Sequence, residues 1–428
     1  MTQVAEVFLW GEQMGAVVWD EQAQAAVFSY TDDFIKTGIQ PSPLHMPTIG
    51  NEGHRFMFQG LAKETFYGLP GMLADVFPDK FGHAIIDAWL AKQGRMPGSM
   101  NPVEKLLYMG TRSMGALEFR PALKKEAARQ IDVNMDEMLA ITNEIMQRKG
   151  KLDVSQYDDG SLASILQIGT SAGGARPKGI VAIHEKTHKI ISGHASTPKG
   201  FKHWIIKFDG VSDMELGKPQ GYGRREYAYY LMALDAGISM VESKLWEEHG
   251  RAHFMTRRFD RIGGEKVHMQ SLCGMAHFDY NMSGAYSYEQ AMMIAMRLGL
   301  QHADMQQLFR RMVFNVVMRN QDDHTKNIAF LMGQDGVWKL SPAYDVTYSH
   351  NPAGVWTSNH QMSLAGKRDG FTKQDLISVA NIIGIKGAHA MIEQVLETAS
   401  KWSLFAKHAG VLSEHVDEVQ QYLRIDLE

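Results

Sequence analysis

Hydrophobic periodicity changes once along this chain, and that change restricts the fold more than any other feature. Up to about residue 285 short β-type runs recur between turn residues, whereas beyond it the apolar spacing is helical. Glu6–Trp10, Gly15–Trp19 and Ala25–Tyr30 predict a small antiparallel sheet. Pro41, Pro43 and Pro47 then hold a loop, since proline cannot sit in a central strand. Helical spacing follows over Phe81–Lys92, with Ile85, Ile86, Trp89 and Leu90 on one face, from Pro102 to Tyr108, and over Asp136–Arg148. Polar Lys149–Gly160 reads as a link. Strands return at Ile180–Ile183, Lys189–Ser192 and Trp204–Lys207. A helix over Arg224–Ala236 stops at Gly237, and Met240–Trp246 and Ala252–Phe259 are again strand-like. The last third opens with a capping box, Ser287 to Gln290. It continues with a stripe at Leu308, Met312, Val313, Val316 and Val317, then helices from Thr372, over Met391–Ala399 and over Glu414–Leu423. The pattern is α+β, with a leader of mixed type, a β-rich middle and a helical end.

A length of 428 residues suggests two or three domains, expected at 1–125, 126–270 and 271–428. Hydrophobic residues at 44% and charged residues at 21% exclude a wholly disordered chain. The single cysteine, Cys273, excludes an internal disulfide or a thiolate metal site and suits a reducing cytoplasm. Lys and Arg total 44 against 48 Asp and Glu, a net charge of −4. That balance argues against a chain whose main task is gripping nucleic-acid phosphates. The N-terminus lacks a secretory pattern and no apolar run approaches a membrane span, so no membrane role is expected. The 28 methionines suit gap-filling in cores better than an adaptable binding surface.

The chemistry concentrates in Asn320-Gln-Asp-Asp-His-Thr-Lys-Asn327, between an apolar helix and a strand-like segment. A solvated loop is the plain reading of such a polar cluster. Yet Asp322 and Asn327 reproduce the Asp-x-x-x-x-Asn spacing of a protein-kinase catalytic loop, with an Asp to accept a hydroxyl proton and an Asn to hold Mg²⁺. A hairpin, Ile328–Met332 and Val337–Leu340, leads to Ser341-Pro-Ala-Tyr-Asp345, which puts a second oxygen donor at its other end. Taken alone, Asp345 is equally a cap or a turn residue. Upstream, Lys207 ends a strand and Glu226 opens the next helix, the order a phosphate-pairing lysine and its glutamate require, although strand lysines usually snorkel. Gly169-Thr-Ser-Ala-Gly-Gly-Ala-Arg-Pro-Lys178 could cradle phosphates or be an ordinary loop. Arg257-Arg-Phe-Asp-Arg261 could offer backbone groups to an adenine edge, or hold a strand end through an Arg–Asp pair.

These stretches, together with Trp204-Ile-Ile-Lys207, Pro41–Pro47, Phe77-Pro-Asp79 and Met109–Ala116, resemble the HipA-like serine/threonine kinases, the toxin half of bacterial toxin–antitoxin modules. The resemblance runs from about residue 5 to about residue 350. It implies a protein-kinase-like bilobal fold: a β-rich N-lobe with an extra N-terminal α/β subdomain, and a mostly α-helical C-lobe. It implies ATP and Mg²⁺ as cofactors, with Asp322 as catalytic base and Asn327 and Asp345 as metal ligands. His324 and Lys326 would shape the loop or steady the transferring phosphate. Lys207, Lys178, Gly173, Gly174, Glu226 and the backbone of Arg257 to Phe259 would serve ATP. Ser171, with Thr170 as the alternative, would be autophosphorylated, adding charge that breaks a phosphate cradle. A protein acceptor such as an aminoacyl-tRNA synthetase, a HipB-like antitoxin, and DNA reached through that antitoxin complete the expected partners. Asp323 departs from members with glycine there, and Ala-Tyr-Asp-Val replaces Asp-Phe-Gly.

Two rival readings remain at this stage. One is a catalytically weak kinase fold acting as co-repressor with a helix-turn-helix antitoxin. The other is a metal-dependent hydrolase using Asp322, Asp323 and His324, which has no use for Lys207 or the glycine-rich segment.

Overall fold

Alternation in the leader folds into a four-stranded antiparallel sheet of order β3-β2-β1-β4. Its strands are β1 (Val4–Leu9), β2 (Glu12–Asp20), β3 (Ala25–Tyr30) and β4 (Leu117–Arg120). Ala5, Val7 and Leu9 of β1 point to the core while Val4 and Glu6 face solvent, the period-2 burial that fixes register. Among the described residues this sheet is accompanied by the helices α1 (Asp32–Lys36), α2 (Lys63–Phe66), α3 (Gly71–Ala74), α4 (Lys80–Lys92) and α5 (Pro102–Met109). Pro102 starts α5 behind a reciprocal cap. Asn101 Oδ1 accepts the Glu104 N–H at 2.9 Å, and Glu104 accepts the Asn101 N–H at 3.0 Å. The computed structural model describes residues 3–78, 80–122, 178–193, 197–209, 221–248 and 250–428. The expected helix Asp136–Arg148 and the glycine-rich residues Thr170, Ser171, Gly173 and Gly174 lie outside the described residues.

A second sheet has the order β6-β5-β7-β9-β8. It is built from β5 (Lys178–His184), β6 (Ile190–Ser192), β7 (Phe201–Lys207), β8 (Ser243–Glu248) and β9 (Arg251–Arg257). Gly179 through Ile183 of β5 are all buried, so this inner strand reads as a continuous run without polar side chains rather than an alternation. The leader and this sheet belong to one compact unit, Met1–Gln220 with Trp246–Met269; Gly221–Leu245 with Gln270–Glu428 form the other.

Within the first unit a buried ionic cluster ties the two sheets. Arg258 is bidentate to Asp260, at 2.9 and 2.6 Å, and Arg261 reaches the same carboxylate at 2.8 Å. Asp260 also accepts the Gly115 N–H of the leader at 2.8 Å, while Arg261 donates to the carbonyls of Gly115 and Ser113. Burial alone would raise the Asp260 carboxyl, but the two guanidiniums hold it far below the usual range. Gly115 has φ 74° and a Cβ there would lie 3.1 Å from the Met269 nitrogen, so both conformation and space call for glycine. Next in the chain, β10 (Arg261–Ile262) and β11 (Glu265–Lys266) form a short hairpin, and Lys266 donates to the Thr111 carbonyl and to Glu118 at 2.7 and 2.9 Å.

His268 opens β12 (His268–Ser271), is wholly buried, and sits 3.1 Å from the Pro41 carbonyl. Burial lowers its pKa to about 4, against about 6.5 for an unfolded chain. The unfolded chain therefore takes up a proton that the folded one refuses. The stability is complete above about pH 6.5 and is lost as pH falls toward 4, by about 3 kcal/mol at most. His268→Gln, which can still donate to Pro41, should flatten the plot of urea midpoint against pH across that window. An unchanged slope would exclude His268 as its source.

The second unit is mostly helical: α6 (Tyr222–Asp235), α7 (Leu272–Ala276), α8 (Tyr288–Arg297), α9 (His302–Val317), α10 (Lys373–Ile383), α11 (Ala388–Ser400), α12 (Trp402–Ala409) and α13 (Ser413–Tyr422). The Tyr229 ring, fully buried, meets the Trp402 ring at 5.7 Å and the Phe314 ring at 6.2 Å, both edge to face. Met232, Met275, Met312 and Met318 are 0% exposed here, the gap-filling use of methionine. A hairpin, β13 (Ala329–Met332) and β14 (Trp338–Leu340), follows α9 in a sheet of order β12-β13-β14. The expectation of an α+β chain, β-rich before a mostly helical end, holds. Among the described residues, no helix is long and apolar enough to cross a membrane.

Candidate active site

Helix α9 delivers the catalytic-loop candidate. Its buried stripe of Leu308, Met312, Val313, Val316 and Val317 fixes its rotation in the core, and the chain then turns at Arg319, φ 56°. Asn320 re-anchors the exit by donating to the Asn315 side chain at 2.9 Å. A single 3₁₀ turn, Thr325–Asn327, carries the chain into β13, and Thr325 Oγ1 pins it to the Phe278 carbonyl at 2.8 Å. β13 and β14 pair Phe330 with Leu340 and Met332 with Trp338, and Ser341 N closes on the Ala329 carbonyl at 2.9 Å. The hairpin therefore returns Asp345 toward Asn327. Asp345 has φ 54°, a left-handed conformation that Asp tolerates better than most residues.

Within the loop, Asn327 donates its amide to the Asp322 carbonyl at 2.8 Å. Asp322 Oδ1 accepts the indole N–H of Trp356 at 2.7 Å, and His324 Nε2 stands 3.8 Å from the same oxygen. The Asp322 side chain keeps 37% of its exposure, so solvent reaches it. Its surroundings still raise its pKa, first through burial and then through the charge of Asp345, against which His324 and Trp356 act. Lys326 lies over the Tyr280 ring at 4.7 Å, and that ring meets His324 edge to face at 5.5 Å. A cavity of about 30 Å³ behind the loop is lined by Arg311, Asn320, His324 and Asn327 among others.

Asp323 has a different task. It is 2% exposed and accepts from the Tyr288 hydroxyl at 2.7 Å, from His360 Nδ1 at 2.8 Å and from the Gln361 N–H at 2.7 Å. His360 Nε2 in turn accepts from Arg424. Burial raises the Asp323 carboxyl, but His360 and these donors bring it below the ordinary value. Both oxygens are committed to riveting the loop to residues 360–361. An Asp322–Asp323–His324 metal centre of the hydrolase type has no donor to draw from Asp323, and no cluster of three or more His, Cys, Asp or Glu suited to a metal occurs among the described residues.

In the first unit, Lys178 and Lys207 are direct partners across the β5–β7 ladder, and Lys207 is the direct partner of Phe254 across β7–β9. Direct partners share a face of the sheet. Lys207 Nζ lies 5.8 Å from the Phe254 ring centre, and Lys178 is only 5% exposed. The pairing thus places two lysine side chains on one face of the sheet. Arg257 pairs with Trp204, Arg258 N donates to the His203 carbonyl at 3.0 Å, and Phe259 follows directly. Glu226 is buried in α6 of the second unit. Sequence reasoning missed Trp356, His360, Gln361 and Tyr288. For the first three the available signal was the stretch from β14 to α10, too long for an ordinary connection and without helical or strand periodicity.

Sequence models of two domains match this chain: the HipA N-terminal domain over residues 5–120 and the HipA-like C-terminal domain over residues 170–403. The chain belongs to the HipA-like family. The C-terminal match covers the row of Lys178 and Lys207, the loop Asp322–Asn327 and Asp345. In fold, the HipA-like chain matches a chain of the Shewanella oneidensis MR-1 toxin–antitoxin complex of HipA, HipB and operator DNA, with TM-score 0.66. That match covers 98% of this chain and 94% of the other at 16% identity, a likeness of fold alone. Two relatives are named "Putative kinase": Y4dM of Sinorhizobium fredii, 32% identical over 155 residues, and one of Haemophilus influenzae, 30% identical over 134. Those matches take in 33% and 28% of this chain and 36% and 39% of the relatives, so they span little more than a third of the relatives' length.

Proposed function

We propose that this HipA-like chain is a protein serine/threonine kinase that moves the γ-phosphoryl group of ATP to a hydroxyl, with Mg²⁺ as cofactor. The observation that carries the reading is the joining of Asp322, Asn327 and Asp345 by one hairpin. Asn327 spends its amide on the Asp322 carbonyl, which leaves its own carbonyl oxygen for a hard cation. Asp345 is close enough for its charge to act on Asp322. One amide oxygen and one carboxylate are too few for an all-protein cage, but Mg²⁺ is ordinarily held by one or two such donors with phosphate oxygens completing the shell. When bound, the ion supplies charge neutralisation on the phosphates. Asp322, partly solvent-open and fixed by Trp356, accepts the hydroxyl proton, and Lys178 and Lys207 furnish positive charge for the nucleotide.

Lys207→Ala and Asp345→Ala should each weaken Mg·ATP binding roughly 10- to 100-fold, the loss expected for one charged hydrogen-bonding partner. Nucleotide-induced thermal stabilisation and calorimetry measure this directly. Full affinity in both variants would remove the kinase assignment. The autophosphorylation proposed for Ser171, with Thr170 as alternative, is tested by mass spectrometry of the purified chain. The phosphate should be present in wild type and missing in Asp322→Ala. A growth-arresting role, a helix-turn-helix antitoxin that brings the chain to DNA, and an aminoacyl-tRNA synthetase as acceptor extend the same proposal. The net charge of −4 supports DNA contact through a partner rather than through this chain.

A further inference from the structure

The segment Val346–Phe371, between β14 and α10, contains neither helix nor named strand, only isolated bridges such as Ser287 to Ser363. It is nevertheless well tied. Asn351 organises a tight loop by accepting the Gly354 N–H at 2.9 Å and the Ala353 N–H at 3.1 Å, and by donating to the Thr357 carbonyl at 3.2 Å. The Gln361 side-chain amide holds the Trp356 carbonyl, and the Gln361 backbone is fixed to Asp323. Val355 is fully exposed, whereas its neighbour Trp356 turns inward and donates to Asp322 Oδ1 at 2.7 Å. A neutral N–H on a carboxylate at this distance is a charge-assisted bond, strong enough to select one orientation of the group.

That contact has two chemical readings. A plug would cover the carboxylate and have to leave before an acceptor arrives. A positioning group would occupy one oxygen and present the other. Among the described residues nothing donates to Oδ2, while Oδ1 receives Trp356 and has His324 beside it. The asymmetry favours positioning.

We infer that Trp356 is a positioning residue for phosphoryl transfer: by fixing Oδ1 of Asp322, it turns Oδ2 toward the acceptor hydroxyl. The inference rests on the kinase reading above and adds a residue to it. In the step it serves, the acceptor oxygen bonds to the γ-phosphorus as the bond to the β–γ bridging oxygen breaks. ADP leaves with that electron pair, and the hydroxyl proton passes to Oδ2. Rotation of the carboxylate about χ2 would mispoint the lone pair that receives the proton, and misplacement on the ångström scale is costly in rate.

The test is a double-mutant cycle on autophosphorylation from saturating Mg·ATP. Trp356→Phe, which keeps an aromatic ring without a donor, should slow transfer roughly tenfold and leave the KM for ATP within about twofold. In an Asp322→Asn background the same change should cost nothing further, because the group it positions no longer accepts a proton. Trp356→His retains a ring N–H and should recover part of the rate; it carries the test if Trp356→Phe does not fold. A Trp356→Phe rate equal to wild type overturns the inference, and so does an additive loss beside Asp322→Asn. A faster rate overturns it in favour of a plug. A wild-type chain that transfers no phosphate from Mg·ATP sinks the kinase reading itself, whereas those Trp356 outcomes leave that reading intact.

Discussion

Phosphoryl transfer by Asp322→Ala should fall roughly 10²- to 10⁴-fold, the range that a positioned general base supplies. Nucleotide binding should stay close to wild type, because Asp322 is assigned the proton and not the phosphates. Stability should change little: the side chain is 37% exposed, and its direct bond is to Trp356. Asp322→Asn sharpens the test, since the amide oxygen can still accept the Trp356 N–H but the group cannot take a proton at neutral pH. Transfer to Ser171 or to an added acceptor, followed by mass spectrometry, measures both variants. An Asn variant working at the wild-type rate would remove Asp322 from the chemistry, whatever the Ala variant does.

The proposed base was visible in the sequence because its setting is local. Asp322, Asn327 and Asp345 are brought together by a helix end, one 3₁₀ turn and a two-stranded hairpin, all short-range structures with readable patterns. The residues that orient this loop are not local. Tyr288 reaches Asp323 over 35 positions, Trp356 reaches Asp322 over 34, and His360 reaches Asp323 over 37. No spacing rule connects an aspartate to a tyrosine on a preceding helix or to a histidine in an irregular segment. Asp323 illustrates the consequence. Beside Asp322 and His324 it suggested a metal centre, yet its carboxylate is wholly taken by loop-fixing donors.

The elements were legible for the same reason and failed where it lapses. α5 opens with a first-turn proline, α8 with a capping box, and β1 alternates in burial, so the sequence reading and the structure agree there to within a few residues. α12 was missed. It begins at Trp402 straight after α11 with Lys401 as a cap that makes no side-chain bond, so no start signal separates the two helices. What holds α12 is tertiary: the Trp402 ring is fully buried against Tyr229, and its N–H meets the Val416 carbonyl at 3.0 Å. β4 was likewise invisible, because four residues paired to β1 more than a hundred positions earlier carry almost no periodicity of their own.

The stretch Arg258–Arg261 offered either an adenine-reading strand end or an ionic brace, and the brace yields the largest stability effect expected in the molecule. Asp260→Asn leaves two buried guanidiniums, 1% and 8% exposed, without the carboxylate that neutralises them, and weakens the bond to Gly115. Removing one partner of a buried ionic group costs about 3–5 kcal/mol, because the remaining charge is stranded away from water. The neighbouring Glu118–Lys266 pair joins the same two regions but keeps 18% and 24% of its exposure, so Glu118→Gln should cost at most about 1 kcal/mol. Urea unfolding should therefore separate the two variants clearly. Replacing Arg258, Asp260 and Arg261 together by apolar residues of similar volume should recover much of the loss, since the penalty lies in the unmatched charges rather than in a missing attraction. Equal small effects for Asp260→Asn and Glu118→Gln would mean that the leader is held by its apolar contacts, and that the charges at Arg258–Arg261 are free to serve the nucleotide.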